Sequence, residues 1–94
     1  MRTLLDSNLT ANGTVSFTMP ESNKVTLLSK GDLGSGSIAI KVHHGVTVYD
    51  TGQTLTADGD LELSLAAGLN VQIILSGATD PDVQIAVVAF NEIS

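Results

Sequence analysis

The chain of 94 residues contains no cysteine and no tryptophan. Without thiols, disulfides, thiolate nucleophiles, iron–sulfur clusters and cysteine-ligated zinc are all excluded. The aromatic residues are Phe17, Tyr49 and Phe90 alone, too few to line a sugar-stacking cleft between paired catalytic carboxylates. Positive charge is scarce: Arg2, Lys24, Lys30 and Lys41 stand against ten acids, and the formal net charge is −6. A surface built to neutralise nucleic-acid phosphates is therefore not expected. Long apolar runs are missing as well. The stretches around residues 73–75 and 85–90 are short and interrupted, far below the roughly 20 residues of a membrane-spanning helix. Residues 1–6 hold two leucines before an acid, not the apolar core of about 7–15 residues of a secretory signal. Synthesis in the cytoplasm, with no membrane partner, is the expectation.

What the chain does have is alternation. Val15-Ser16-Phe17-Thr18-Met19 switches between apolar and polar at every step, as do Ile38–Val42, Leu61–Leu65, Leu69–Ile73 and Val83–Val87. A period of two sends one set of side chains to a buried face and the other to solvent. Frequent Val, Ile and Thr suit a pleated surface. Turn chemistry punctuates the runs: Asn12-Gly13, Asp58-Gly59, Pro20, the glycines from Gly31 to Gly36, Gly45, Gly52, Gly68, Gly77 and Asp80-Pro81. The pattern predicts an all-β, antiparallel β-sandwich of jelly-roll type, one domain over residues 1–94. Its eight short strands are expected near 2–6, 14–19, 24–29, 37–43, 46–50, 60–66, 69–76 and 82–91. Residues 1–8 are also a candidate extended N-terminal arm, because Leu4 and Leu5 have little apolar company nearby.

The sequence echoes itself. Leu9-Thr10-Ala11-Asn12-Gly13 returns as Leu55-Thr56-Ala57-Asp58-Gly59, an offset of 46 positions from residue 9 to residue 55. At the same offset Val25-Thr26-Leu27-Leu28 matches Val71-Gln72-Ile73-Ile74. After a slip of one residue, Ile38–Val42 matches Val83–Val87. Two pseudo-symmetric halves are expected, neither able to bury its apolar face alone.

No motif carries a reaction. His43 and His44 are adjacent on a strand and so point to opposite faces, a poor arrangement for one metal ion. Asp58, Asp60 and Glu62 lack the longer acidic run and the flanking helices of an EF-hand, and Asp80 and Asp82 read as solvated turn acids. The segment Gly31-Asp32-Leu33-Gly34-Ser35-Gly36 has neither the Lys-Ser/Thr nor the helix of a phosphate-binding loop, and is expected to be flexible. No serine sits in a nucleophile elbow. Neither an enzyme nor a cofactor is expected. Solvent-facing strand positions are instead rich in hydroxyls, at Thr14, Ser16, Thr18, Thr26, Ser37, Thr47 and Thr54. Such uncharged faces pack well against another copy or a larger partner.

The second half of the chain resembles a known group of proteins. The resemblance runs through Thr47-Val48-Tyr49-Asp50, through Leu55–Leu63, through Ala66-Ala67-Gly68 to Ser76-Gly77-Ala78-Thr79, and ends at Val83–Val87. It is similar there to small β-sandwich decoration or cement proteins on the heads of tailed double-stranded DNA bacteriophages. That resemblance implies a virion protein without a catalytic site. It would bind assembled major capsid protein, associate with itself as a trimer and strengthen the shell. The alternative is a receptor- or glycan-binding domain of a tail or fibre. Candidate interface residues are Leu4 and Leu5 in the arm, Leu33 in the glycine-rich loop, and Tyr49, the one aromatic placed after the mid-chain strand.

Overall fold

The computed structural model describes residues 2–21, 23–57 and 59–89. Eight strands form near the expected positions, with β1, β3 and β5 running farther than expected: β1 (Arg2–Leu9), β2 (Gly13–Thr18), β3 (Asn23–Asp32), β4 (Ser37–His44), β5 (Thr47–Leu55), β6 (Gly59–Leu65), β7 (Asn70–Ser76) and β8 (Asp82–Ala89). They build two antiparallel four-stranded sheets. Sheet A has the order β1-β8-β3-β6 and sheet B the order β2-β7-β4-β5. This strand order defines an eight-stranded jelly roll.

The period-two pattern explains which face is buried. Val25 and Leu27 of β3 and Val83, Ile85 and Val87 of β8 point inward from sheet A, with exposures of 2% or less. Ile38 and Ile40 of β4 and Val71, Ile73 and Leu75 of β7 answer them from sheet B. Burying each such side chain contributes about 1.5–3 kcal/mol. The central strands β8, β3, β7 and β4 therefore carry most of the core, while the edge strands supply half-buried side chains such as Leu9, Val15, Leu61 and Leu63.

The internal echo has a structural counterpart. Advancing each strand number by four converts β1-β8-β3-β6 into β5-β4-β7-β2, which is sheet B read backwards. The registers agree. Phe17 faces Val71 and Val15 faces Ile73 between β2 and β7. At the 46-residue offset, Leu63 faces Val25 and Leu61 faces Leu27 between β6 and β3. Leu9 facing Val83 likewise corresponds to Leu55 facing Ile38, with the one-residue slip seen in the sequence. The halves are not two separate layers, however. Each sheet draws two strands from each half, so they are interleaved.

Two expectations are corrected here. Residues 2–9 are not an arm. They are the edge strand β1, with Leu5, Ser7 and Leu9 opposite Val87, Ile85 and Val83 of β8. A bulge between Thr3 and Leu5 breaks the alternation, so that the adjacent Leu4 and Leu5 both pack against the core. The company these leucines lack locally is supplied by the far end of the chain. The glycine-rich loop is not slack either. Gly34 and Ser35 both have positive φ, at 60° and 66°, and Gly36 N–H donates to Leu33 C=O at 2.9 Å, as in a type I′ turn. Asp32 Oδ1 accepts from Gly34 N–H at 2.8 Å. Leu33 itself is 5% exposed and belongs to the core.

The loops after β1, β3 and β7 are tied together at one end of the sandwich. Thr79 N–H donates to Gly34 C=O at 2.9 Å. Asn12 bridges to the same loop twice, accepting from Ala78 N–H at 2.9 Å and donating to Ala78 C=O at 3.1 Å. The Asn12→Ala variant is expected to lose about 1–2 kcal/mol, since it removes both bonds at once. In a domain of this size that is a drop in Tm of roughly 4–8 °C per kcal/mol, read by circular dichroism. An unchanged Tm would mean that the side-chain bridge adds nothing to the fold.

Candidate functional site

Because the registers are fixed, the outer face of each sheet can be read in rows across its strands. On sheet B the rows are Thr14–Ile74–Ala39–Thr54, Ser16–Gln72–Lys41–Asp50 and Thr18–Asn70–His43–Val48. Lys41 and Asp50 are neighbours in the middle row, so the described charges on this face are one of each sign. Asn70 Nδ2 bonds Phe17 C=O at 3.3 Å and Thr18 Oγ1 at 3.4 Å, which holds the third row at the β2 edge. The outer face of sheet A differs. Its rows Thr3–Val88–Thr26–Glu62 and Asp6–Ala86–Leu28–Asp60 are joined by Lys24, Lys30 and Asp82. Asp6 accepts from Gln84 Nε2 and Asp82 from Asn8 Nδ2. The sandwich thus has one charged face and one nearly uncharged face of hydroxyls and amides. Thr14, Ser16, Thr18, Ser37 and Thr54 gather on the uncharged one, while Thr26 lies on sheet A and Thr47 at the hairpin end of β5.

Low charge matters because desolvating a hydroxyl or amide that finds a new hydrogen-bond partner costs far less than desolvating an ion. Sheet B is the cheaper face to cover.

Beside it lies an open edge. β5 is the outermost strand of sheet B and most of its residues are exposed. Gly45, with φ of 64°, and Val46 form a two-residue connection to β4. Positive φ at the first of the two loop residues is the pattern of a type II′ hairpin. The exposed large apolar side chains of the described residues are Leu28, Val46, Val48 and Tyr49, and the last three share this hairpin, with Tyr49 at 54%. Farther along β5 the ladder is interrupted. Ala39 faces Thr54 and Lys41 faces Asp50, so one residue of β4 spans three of β5. Thr51 Oγ1 fills the gap by donating to Ile40 C=O at 2.8 Å, and Asp50 Oδ1 accepts from Gly52 N–H at 2.9 Å.

The candidate residues read from the sequence do not converge. Leu4 and Leu5 are packed under the β1 edge of sheet A, Leu33 is buried, and Tyr49 stands on the β5 edge of sheet B. Val46 and Val48 were passed over. The signal for them is that Val46, Val48 and Tyr49 crowd apolar side chains onto both faces of a short strand, which a half-buried strand does not do.

His43 and His44 fall on opposite sides of β4. His43 is half-buried on the outer face, its Nε2 buried without a hydrogen-bond partner, and His44 is exposed near the hairpin. Among the described residues no group of three or more His, Cys, Asp or Glu is placed to hold a metal ion. Asp58 lies outside the described residues. Two shallow hollows open to solvent: about 420 Å³ beside the Gly34 turn, bounded by Asp32, Thr56 and Ala57, and about 570 Å³ on sheet A between Leu28, Asp60 and Ala86. The second is also lined by Lys30 and Gln84.

The structure therefore defines a jelly roll with one sheet face of little charge and an edge strand beside it. No protein-family model matches the chain, and no curated protein matches it by sequence. Among solved structures it is similar to the C-terminal domain of A223, a structural protein of the Sulfolobus turreted icosahedral virus. The TM-score is 0.58, the identity 12%, and the match covers 98% of each chain. At that identity the likeness is one of fold.

Proposed function

We propose that the chain is a non-enzymatic structural protein of a virion, a decoration or cement subunit that binds the outer surface of the head and stabilises the shell. The observation that carries this reading is the outer face of sheet B: three registered rows of hydroxyl, amide and apolar side chains with His43 and a single Lys–Asp pair. Its fold likeness to a virus structural protein supports the same class, although fold alone does not decide function. In this reading the partner is assembled major capsid protein, and the mechanism is bridging. The outer face of sheet B spans neighbouring capsid subunits and resists their separation under the pressure of packaged genome. The acidic remainder of the surface suits a position away from that genome.

Quantitative mass spectrometry of purified particles tests the reading. A copy number close to that of the major capsid protein is expected. A handful of copies per particle would move the chain to a vertex or tail and favour the receptor- or glycan-binding alternative, and absence would overturn the virion reading. Charge placement tests the face itself. Ser16→Glu combined with Thr54→Glu is expected to weaken particle binding at least tenfold, because each new carboxylate must be desolvated on docking. Ser64→Glu, on the outer face of sheet A, is expected to leave binding unchanged. Equal loss from both variants would show that sheet B is not the docking face.

A further inference from the structure

Among the described residues no strand pairs with the outer edge of the near half of β5, and its parity says which groups face out. In a hairpin with a two-residue loop the residues flanking the loop, here His44 and Thr47, exchange both backbone hydrogen bonds. Alternation then makes Val42 and Tyr49 the next such pair. The N–H and C=O groups of Val48 and Asp50 are left pointing away from β4, toward the open side. Edge strands are commonly guarded by lysines, prolines or bulges. β5 has such a device only at residues 51–53, where the bulge bends it. Residues 47–50 have no lysine, proline or bulge, their one charge is Asp50 beside Lys41, and they are flanked by the fully exposed Val46.

We infer that this edge binds a second copy of the same chain, β5 against β5 antiparallel, around a two-fold axis at Tyr49. Only outward-facing residues can exchange hydrogen bonds across the axis, so the axis falls on residue 48, 49 or 50. An axis at residue 50 sets Asp50 directly against Asp50 of the other copy, and like charges directly opposed destabilise a sheet. An axis at residue 49 pairs Val48 with Asp50 and Asp50 with Val48, and it opposes the two Tyr49 rings in the close, non-hydrogen-bonded site where aromatic pairs stabilise strands. An axis at residue 48 gives up that aromatic pair. Charge favours a second copy here as well. Two molecules of net charge −6 repel over most of their surface, but residues 46–52 hold one acid, and it stands beside Lys41. The pairing joins the two B sheets into one of eight strands and doubles the uncharged face. It concerns the isolated protein, so its failure and that of the capsid reading are separable.

Because the chain has no cysteine, single-cysteine variants report the register directly. Opposed residues at a non-hydrogen-bonded site have Cα atoms about 4.5 Å apart, within disulfide reach. Tyr49→Cys is therefore expected to cross-link to itself under mild oxidation. Val48→Cys is not, since its copies lie about 8 Å apart in this register, beyond that reach. Sedimentation equilibrium of the unmodified chain is expected to give twice the 9.7 kDa chain mass. Tyr49→Arg is expected to give a folded monomer with a cooperative melt, since the side chain is exposed, its Tm below that of the parent only by the concentration-dependent stabilisation that dimerisation adds. A monomeric or trimeric parent chain, self-linking of Val48→Cys as fast as of Tyr49→Cys, or a Tyr49→Arg protein that stays dimeric would each overturn the pairing.

Discussion

Deleting residues 1–9 is expected to abolish the cooperative thermal transition of the protein. β1 closes one edge of sheet A, and its removal strips β8 of a partner along its whole length, from Ala89 to Val83. Leu4, Leu5 and Leu9 leave the core with it. Each is partly buried, so each contributes roughly 1–2 kcal/mol by area. The larger cost is the opening of Val83, Ile85 and Val87, which are at most 2% exposed in the intact fold. The sum is on the order of 5 kcal/mol or more, comparable with the whole stability of an average small domain. Thermal melting followed by circular dichroism, with dye binding to exposed apolar surface, measures it. The truncated chain should show a broad, non-cooperative melt and strong dye binding. A docking arm gives the opposite result, a normal melt with lost partner binding, and a transition within a few degrees of the intact chain would show that β1 is not part of the core.

Gly34→Ala should be the most damaging of the small single substitutions in the loops, and Gly45→Ala is its control. The two glycines have nearly the same backbone, with φ of 60° and 64°. An alanine at either position pays the left-handed penalty of about 1 kcal/mol. Their surroundings differ. A Cβ on Gly45 meets nothing within 4 Å, whereas one on Gly34 falls 2.2 Å from the backbone oxygen of Thr79. That oxygen cannot swing aside as a side chain would, and the Thr79 loop is held by its own hydrogen bond to Gly34. Relieving the overlap means separating the two loops, which adds roughly 1–3 kcal/mol. In urea unfolding, Gly45→Ala should therefore lower stability by about 1 kcal/mol and Gly34→Ala by about 3 kcal/mol, with m unchanged. Equal midpoints for the two variants would mean that the loops yield freely to each other.

The strands were legible in the sequence because their signal is local. Alternation at Val15–Met19, Leu61–Leu65 and Val83–Val87 needs no knowledge of partners, and the structure places β2, β6 and β8 there. The 46-residue echo was legible too, and it anticipates the equivalence of the two sheets. Pairing was not, because apart from the β4–β5 hairpin every ladder joins strands distant in sequence. Leu4 and Leu5 were misread for that reason, since Leu5 lies opposite Val87 of β8 and Leu4 sits in the bulge beside it, and both pack on a core built by strands distant in sequence. Leu33 was misread because glycine and serine on either side suggested slackness, whereas Gly34 and Ser35 supply the two positive φ values of a tight turn. For the docking face the hydroxyl positions were visible, but not that Thr14, Ser16, Thr18, Ser37 and Thr54 share one surface and Thr26 another. That assignment needs the strand order.

The interleaving of the two halves governs how the chain is made. With β1 and β3 awaiting β8 and β6, and β2 and β4 awaiting β7, the first half emerging from a ribosome finds no partner strands among its own residues. Every ladder but the β4–β5 hairpin closes over a long loop, the circumstance that slows folding most. Sheet A is thereby deferred until β8 is synthesised, whereas all the strands of sheet B exist once β7 is made. A product that ends before β8 lacks a central strand of sheet A, so the inner face of sheet B has no completed sheet to pack against. In the role proposed above, that order of events makes completion of the polypeptide a precondition for joining the shell.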